Sequence, residues 1–131
     1  MDKTRLLTAI GEVLEAEDAV RLAYVYGSRI RGEARKDSDV DVGVLLEDRA
    51  DSGILLQLTK RLQQVVSEVD CKRLELTQHP VYLKSVVEEG EVVVERDDRE
   101  RVAFEVRVMQ RYQDDEARRR IYRQYYGEAF A

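Results

Sequence analysis

Cysteine and proline are almost missing from this 131-residue chain, each occurring once, as Cys71 and Pro80. One cysteine excludes an internal disulfide and any zinc site built from several thiolates. Cys71 is expected to be a reduced, small hydrophobe within a strand. There is no repeat, no low-complexity tract and no linker rich in Pro, Gly or Ser, so nothing marks a boundary inside the chain. The length suits a single domain, residues 1–131, that buries about two thirds of its unfolded surface. No stretch approaches the roughly 18 consecutive apolar residues of a membrane span, and Met1-Asp2-Lys3-Thr4 opens no signal peptide. A cytoplasmic protein with no membrane partner is expected. Histidine is equally scarce: the one present, His79, precedes Pro80, where a structural role is expected.

Charge, by contrast, is abundant. Charged residues make up 37 % of the chain and hydrophobic ones 44 %, a balance that excludes intrinsic disorder. The formal net charge of −5 argues against tight non-specific nucleic-acid binding, and no direct nucleic-acid partner is expected.

Periodicity divides the chain into four helical and four strand-like segments. Leu6, Ile10, Val13 and Leu14 recur at helical spacing within residues 2–17, with Asp2 or Thr4 available as cap. Residues 22–26 form a short apolar strand. Residues 40–46 form a second, in which Val40, Val42 and Val44 share one face and Asp41 the other. Leu55, Leu58, Leu62, Val65 and Val66 predict a helix over 54–66, followed by a strand over 69–76 that puts Asp70, Lys72, Leu74 and Leu76 on one side. Pro80 suits the first turn of a helix running to Glu88 and ended by Gly90. Residues 91–95 read as a peripheral strand. Asp97 then caps a charge-dense helix whose apolar stripe is Val102, Val106, Met109 and Tyr112. Beyond it, Arg118 to Arg120, Ile121, Tyr122, Tyr125, Tyr126 and Phe130 either pack back on the sheet or form a docking face, since Tyr and Arg dominate interface hot spots.

The chemistry concentrates between the first two strands. Gly27-Ser28 is separated from Asp39-Val40-Asp41 by ten residues. Gly27 permits a positive φ or a close backbone approach, and Ser28 can cap a short helix whose free amides face an anion. Arg29, Arg31, Arg35 and Lys36 against Glu33 give this segment a local charge of about +3. Asp39 and Asp41, two apart on a strand, point to one side and repel each other unless a cation lies between them. Oxygen ligands shared with phosphate suit Mg²⁺. A metal-bound polyphosphate fits both halves.

Gly27-Ser28, ten residues and Asp39-x-Asp41 resemble the signature of the polymerase β-like nucleotidyltransferase superfamily. Tyr26-Gly27-Ser28-Arg29 with Ser38-Asp39-Val40-Asp41 is similar to its minimal members, the MNT or MntA-type antitoxins paired with HEPN-domain toxins. The resemblance covers about residues 5–95 and leaves 97–131 as a helical extension. It implies an α+β fold, a mixed twisted sheet of about four strands with helices mainly on one face. It implies that Asp39, Asp41 and Asp70 are the catalytic, Mg²⁺-binding carboxylates, with Glu75 the competing candidate for the third. Gly27, Ser28, Arg29 and Ser38 would hold ATP. The implied activity is transfer of AMP to a tyrosine hydroxyl of a HEPN-domain ribonuclease toxin, which neutralises it. Two alternatives stay open: an antitoxin that inhibits by occlusion, and an adenylyltransferase acting on a small molecule.

Overall fold

The computed structural model describes residues 2–27, 30 and 40–127. Its elements run α1 (Lys3–Glu15), β1 (Val20–Tyr26), β2 (Val40–Leu46), α2 (Ile54–Gln63), β3 (Val69–Arg73), α3 (Pro80–Glu89), β4 (Glu91–Glu95) and α4 (Asp98–Tyr126). Local chemistry accounts for most of the boundaries. The Asp2 carboxylate accepts from the Arg5 amide at 2.8 Å and opens α1, and Asp97 does the same for α4 through Arg99 at 2.9 Å. His79 opens α3, its Nδ1 accepting from the Val81 amide at 3.2 Å ahead of Pro80.

The four strands form one mixed sheet in the order β3-β2-β1-β4. β1 is antiparallel to both β2 and β4, whereas β2 and β3 run parallel, joined by α2 as a crossover. On one face, Leu6, Ile10 and Leu14 of α1 and Ile54, Leu58 and Leu62 of α2 bury against Ala23, Val25, Val40, Val42, Val44 and Cys71. Each helix presents a stripe spaced by four residues.

The class is α+β, but the helices divide two and two between the faces instead of lying mainly on one. Leu22, Tyr24 and Leu74 on the second face are covered by Leu83 and Val86 of α3 and Phe104 and Val108 of α4. Central strand β1 explains this. It is apolar on both sides, so each side needs a cover. The inner stripe of α4 also differs from expectation. Val102 and Val106 are each 49 % exposed, while Phe104 and Val108 are buried. The buried side of α4 carries polar residues that are already engaged: Glu105 accepts from the Tyr24 hydroxyl at 2.7 Å, and Arg111 donates to the Gln78 carbonyl at 2.8 Å. A stripe rich in charge but fully bonded does not register as apolar. The α4 helix continues unbroken through Gln113 to Glu116, and residues 117–126 are exposed. Phe130 lies outside the described residues.

Candidate active site

Gly27 closes β1 with φ 108°, a conformation that an L side chain resists and glycine adopts freely. The Ile30 amide donates to the Gly27 carbonyl at 3.1 Å, and the Ile30 side chain is buried beside α1 and α2. Ser28, Arg29, Arg31, Arg35, Lys36, Ser38 and Asp39 lie outside the described residues.

Register assembles the rest. Asp41 is the cross-strand partner of Tyr26 on β1 and of Asp70 on β3. Tyr26, Asp41 and Asp70 therefore form one row across three strands, with neighbouring strands about 4.8 Å apart. They share the face opposite Val40 and Val42, next to the Gly27 turn. Asp70 also meets the Lys72 ammonium at 3.4 Å. Tyr82, reaching down from α3, shares a hydrogen bond with the Tyr26 hydroxyl at 2.5 Å, the rings meeting edge to face.

Glu75 lies elsewhere. It follows β3, pairs with Arg73 at 3.6 Å and lines a cleft of about 510 Å³ together with Leu45, Leu74, Phe104 and Arg107. That cleft sits at the other end of β2, four residues or about 13 Å from Asp41. Of the two candidate third carboxylates, the sheet brings Asp70 to Asp41 and leaves Glu75 apart. Cys71 points to the opposite side of β3, where burial, with the Asp70 charge nearby, pushes its thiol up to about 12. It is a neutral packing group, as expected.

Tyr26 and Tyr82 were not singled out by sequence reasoning, and their only signal was the Tyr26-Gly27-Ser28 wording itself. Burial is the main reason the Tyr26 phenol resists ionisation, followed by its bond to Tyr82 and the charges of Asp41 and Asp70. Tyr24 is raised as well, by burial and then by Glu105. A pH dependence follows from the sign of these shifts. Unfolded tyrosines release protons near pH 10, whereas these two hold theirs higher, so their contribution is complete below about pH 10 and declines above it. The unfolding free energy read from urea titrations is expected to fall between pH 10 and 11, by up to about 1.4 kcal/mol per pH unit per phenol, and the midpoint with it. Tyr26→Phe should flatten the decline; a wild-type midpoint constant from pH 9 to 11 would refute the assignment.

The sequence profile of the family described as "Polymerase beta, Nucleotidyltransferase" matches residues 8–99, most of the chain. The chain belongs to the polymerase β-type nucleotidyltransferases. Among solved structures, this nucleotidyltransferase is similar to a chain of a toxin-antitoxin with AMP-PNP, at 24 % identity and TM-score 0.71, covering 88 % of this chain and 94 % of that one. It is similar to a chain of the tri-AMPylated Shewanella oneidensis HEPN toxin in complex with MNT antitoxin, at 22 % identity and TM-score 0.69, covering 91 % and 93 %. A third likeness is to a chain of the toxin-antitoxin MntA-HepT, at 22 % identity and TM-score 0.68, covering 92 % and 95 %. These likenesses show a shared fold. No curated protein matches.

Within the nucleotidyltransferase, no three His, Cys, Asp or Glu side chains among the described residues form a group that could hold a metal. The described part of the site supplies two carboxylates, Asp41 and Asp70, whose oxygens suit a hard divalent cation. No helix among the described residues is long and apolar enough to cross a membrane.

Proposed function

We propose that this nucleotidyltransferase is an MNT-type antitoxin that acts in the cytoplasm, transferring AMP from ATP to a tyrosine of a HEPN-domain toxin. The observation that carries the reading is the Asp41–Asp70 register, which sets two carboxylates on adjacent strands beside the positive-φ turn at Gly27. A tri-AMPylated HEPN toxin in complex with MNT antitoxin, and a toxin-antitoxin with AMP-PNP, support this choice of partner and donor.

In this reading Gly27, Ser28, Arg29 and Ser38 bind the phosphates, and Asp39, Asp41 and Asp70 hold Mg²⁺. When bound there, the cation would neutralise phosphate charge and ease ionisation of the acceptor hydroxyl. The toxin tyrosine oxygen bonds to the α phosphorus as the bond from that phosphorus to the α,β-bridging oxygen breaks. Pyrophosphate leaves, and the phenol proton passes to Asp70 or to water. The chain's own contribution is positioning and electrostatics. The exposed end of α4, with Ile121, Tyr122, Tyr125 and Tyr126 among arginines, is the proposed docking surface for the toxin.

The test is the intact mass of a co-expressed HEPN partner after incubation with this chain, ATP and Mg²⁺. The expected result is a gain of one or more AMP units, absent with the Asp39→Asn, Asp41→Asn double variant. A partner that binds but never gains mass would make the chain an occluding antitoxin. Modification of a free small hydroxyl compound without any protein partner would instead support the small-molecule alternative.

A further inference from the structure

Lys72 stands one pleat along β3 from Asp70, on the same face, with its ammonium 3.4 Å from the Asp70 carboxylate. The Lys72 and Asp70 side chains are 52 % and 56 % exposed, so the stem of Lys72 is free to extend into water. Charge draws it back. Asp70 holds the ammonium, and register sets Asp41 directly across from Asp70 on β2, so both carboxylates of the row lie on the face that Lys72 shares. Its cross-strand partner on β2 is Gly43, so no β2 side chain stands between the Lys72 stem and Asp41.

Two carboxylates on adjacent strands repel, and the repulsion must be offset before any ligand arrives. We propose that Lys72 is the resident counter-ion of the carboxylate row, held by Asp70 before nucleotide binds and exchanged for a divalent cation when the metal–triphosphate enters. This inference rests on the nucleotidyltransferase reading of Asp41 and Asp70. A bare divalent cation must displace the ammonium, which then loses its partner. A metal–triphosphate displaces it too, but offers the released ammonium phosphate oxygens. Cation and nucleotide therefore favour each other's binding, and the coupling is reciprocal. Lys72 acts as a positioning residue, through charge and not through the reacting atoms.

An exposed pair of this kind contributes modestly, so the expected change is a few-fold. The test titrates the full chain with Mn²⁺, followed by electron paramagnetic resonance, in the presence and absence of AMP-PNP. Without nucleotide, Lys72→Met is expected to bind Mn²⁺ about two- to fivefold more tightly than wild type. Lys72→Arg, which keeps the charge, should stay near wild type. AMP-PNP should tighten Mn²⁺ binding less in Lys72→Met than in wild type. A charge at the free edge of β3 also discourages edge-to-edge strand pairing, but that role would leave Mn²⁺ affinity unmoved. Unchanged or weaker Mn²⁺ binding by Lys72→Met, while wild type binds it and Asp70→Asn weakens it, overturns the counter-ion role alone. Failure of every variant to bind Mn²⁺, with or without AMP-PNP, overturns the site reading and this inference together.

Discussion

Asp70→Asn is expected to slow AMP transfer to the toxin by about 10²- to 10³-fold, the scale seen when one preorganised charge-stabilising group is removed. Glu75→Gln should leave the rate within about threefold, the change of an exposed group remote from the chemistry. The contrast follows from register. Asp70 lies directly across from Asp41, whereas Glu75 sits beyond the end of β3 and pairs with Arg73. Asparagine keeps the shape of the side chain and one oxygen, but loses the charge and the capacity to accept the phenol proton. Stability should barely change. The Asp70–Lys72 pair is exposed, and its loss is partly offset by relief of the repulsion from Asp41. The measurement is the initial rate of mass gain on the toxin at saturating ATP, with complex formation followed by gel filtration. Equal effects of the two substitutions, or a large effect of Glu75→Gln alone, would move the third carboxylate off Asp70.

Gly90→Ala is expected to cost about 3 kcal/mol, the upper end of the cost of forcing extra atoms into a packed site. Gly90 ends α3, and β4 begins at the next residue. A Cβ there would press into the Val86 carbonyl oxygen and come within 3.3 Å of the Tyr24 Cβ. Neither neighbour yields easily. The Val86 carbonyl accepts the Gly90 amide at 2.9 Å, and Tyr24 is fully buried with its hydroxyl on Glu105. The last turn of α3 must unwind, or the helix must lift from β1. Because α3 carries Tyr82, lifting it would also break the hydroxyl contact to Tyr26 at the site. A urea titration reads the stability, and a midpoint unchanged from wild type would show that this junction is looser than described.

The two predictions rest on different kinds of information. The end of α3 at Gly90 and the limits of β2 and β4 were legible from the sequence, because valine alternation and Gly or Pro punctuation act within a few residues. The same holds for the cap at Asp97, whereas for the first helix the sequence offered Asp2 or Thr4 and the structure uses Asp2. The apolar face of α4 was misread because its buried side is interleaved with Glu105 and Arg111, whose bonds reach Tyr24 and Gln78 in distant parts of the chain, and with Arg101, which pairs nearby with Glu95 and Glu105. The α2 helix was read three residues too long, to Val66, since Val66 stays buried after the helix has ended at Gln63. Helices on both faces were missed because the two-sided burial of β1 shows in the sequence only as a short apolar run.

The sequence by itself determined the order of elements and the Gly27-Ser28 to Asp39-x-Asp41 motif with its basic intervening residues. Alternation on β2 also told which of its residues turn away from the core. All of these are short-range properties of consecutive residues. Only the tertiary structure decided that Asp70, and not Glu75, stands beside Asp41. It alone brought Tyr26 into that row, Tyr82 onto Tyr26, and the Lys72 ammonium onto Asp70. Those placements depend on the register between β1, β2 and β3. A shift of one residue along any of these strands would turn the side chains of the row to the other face, and no local pattern encodes which register the packed cores on both sides will select.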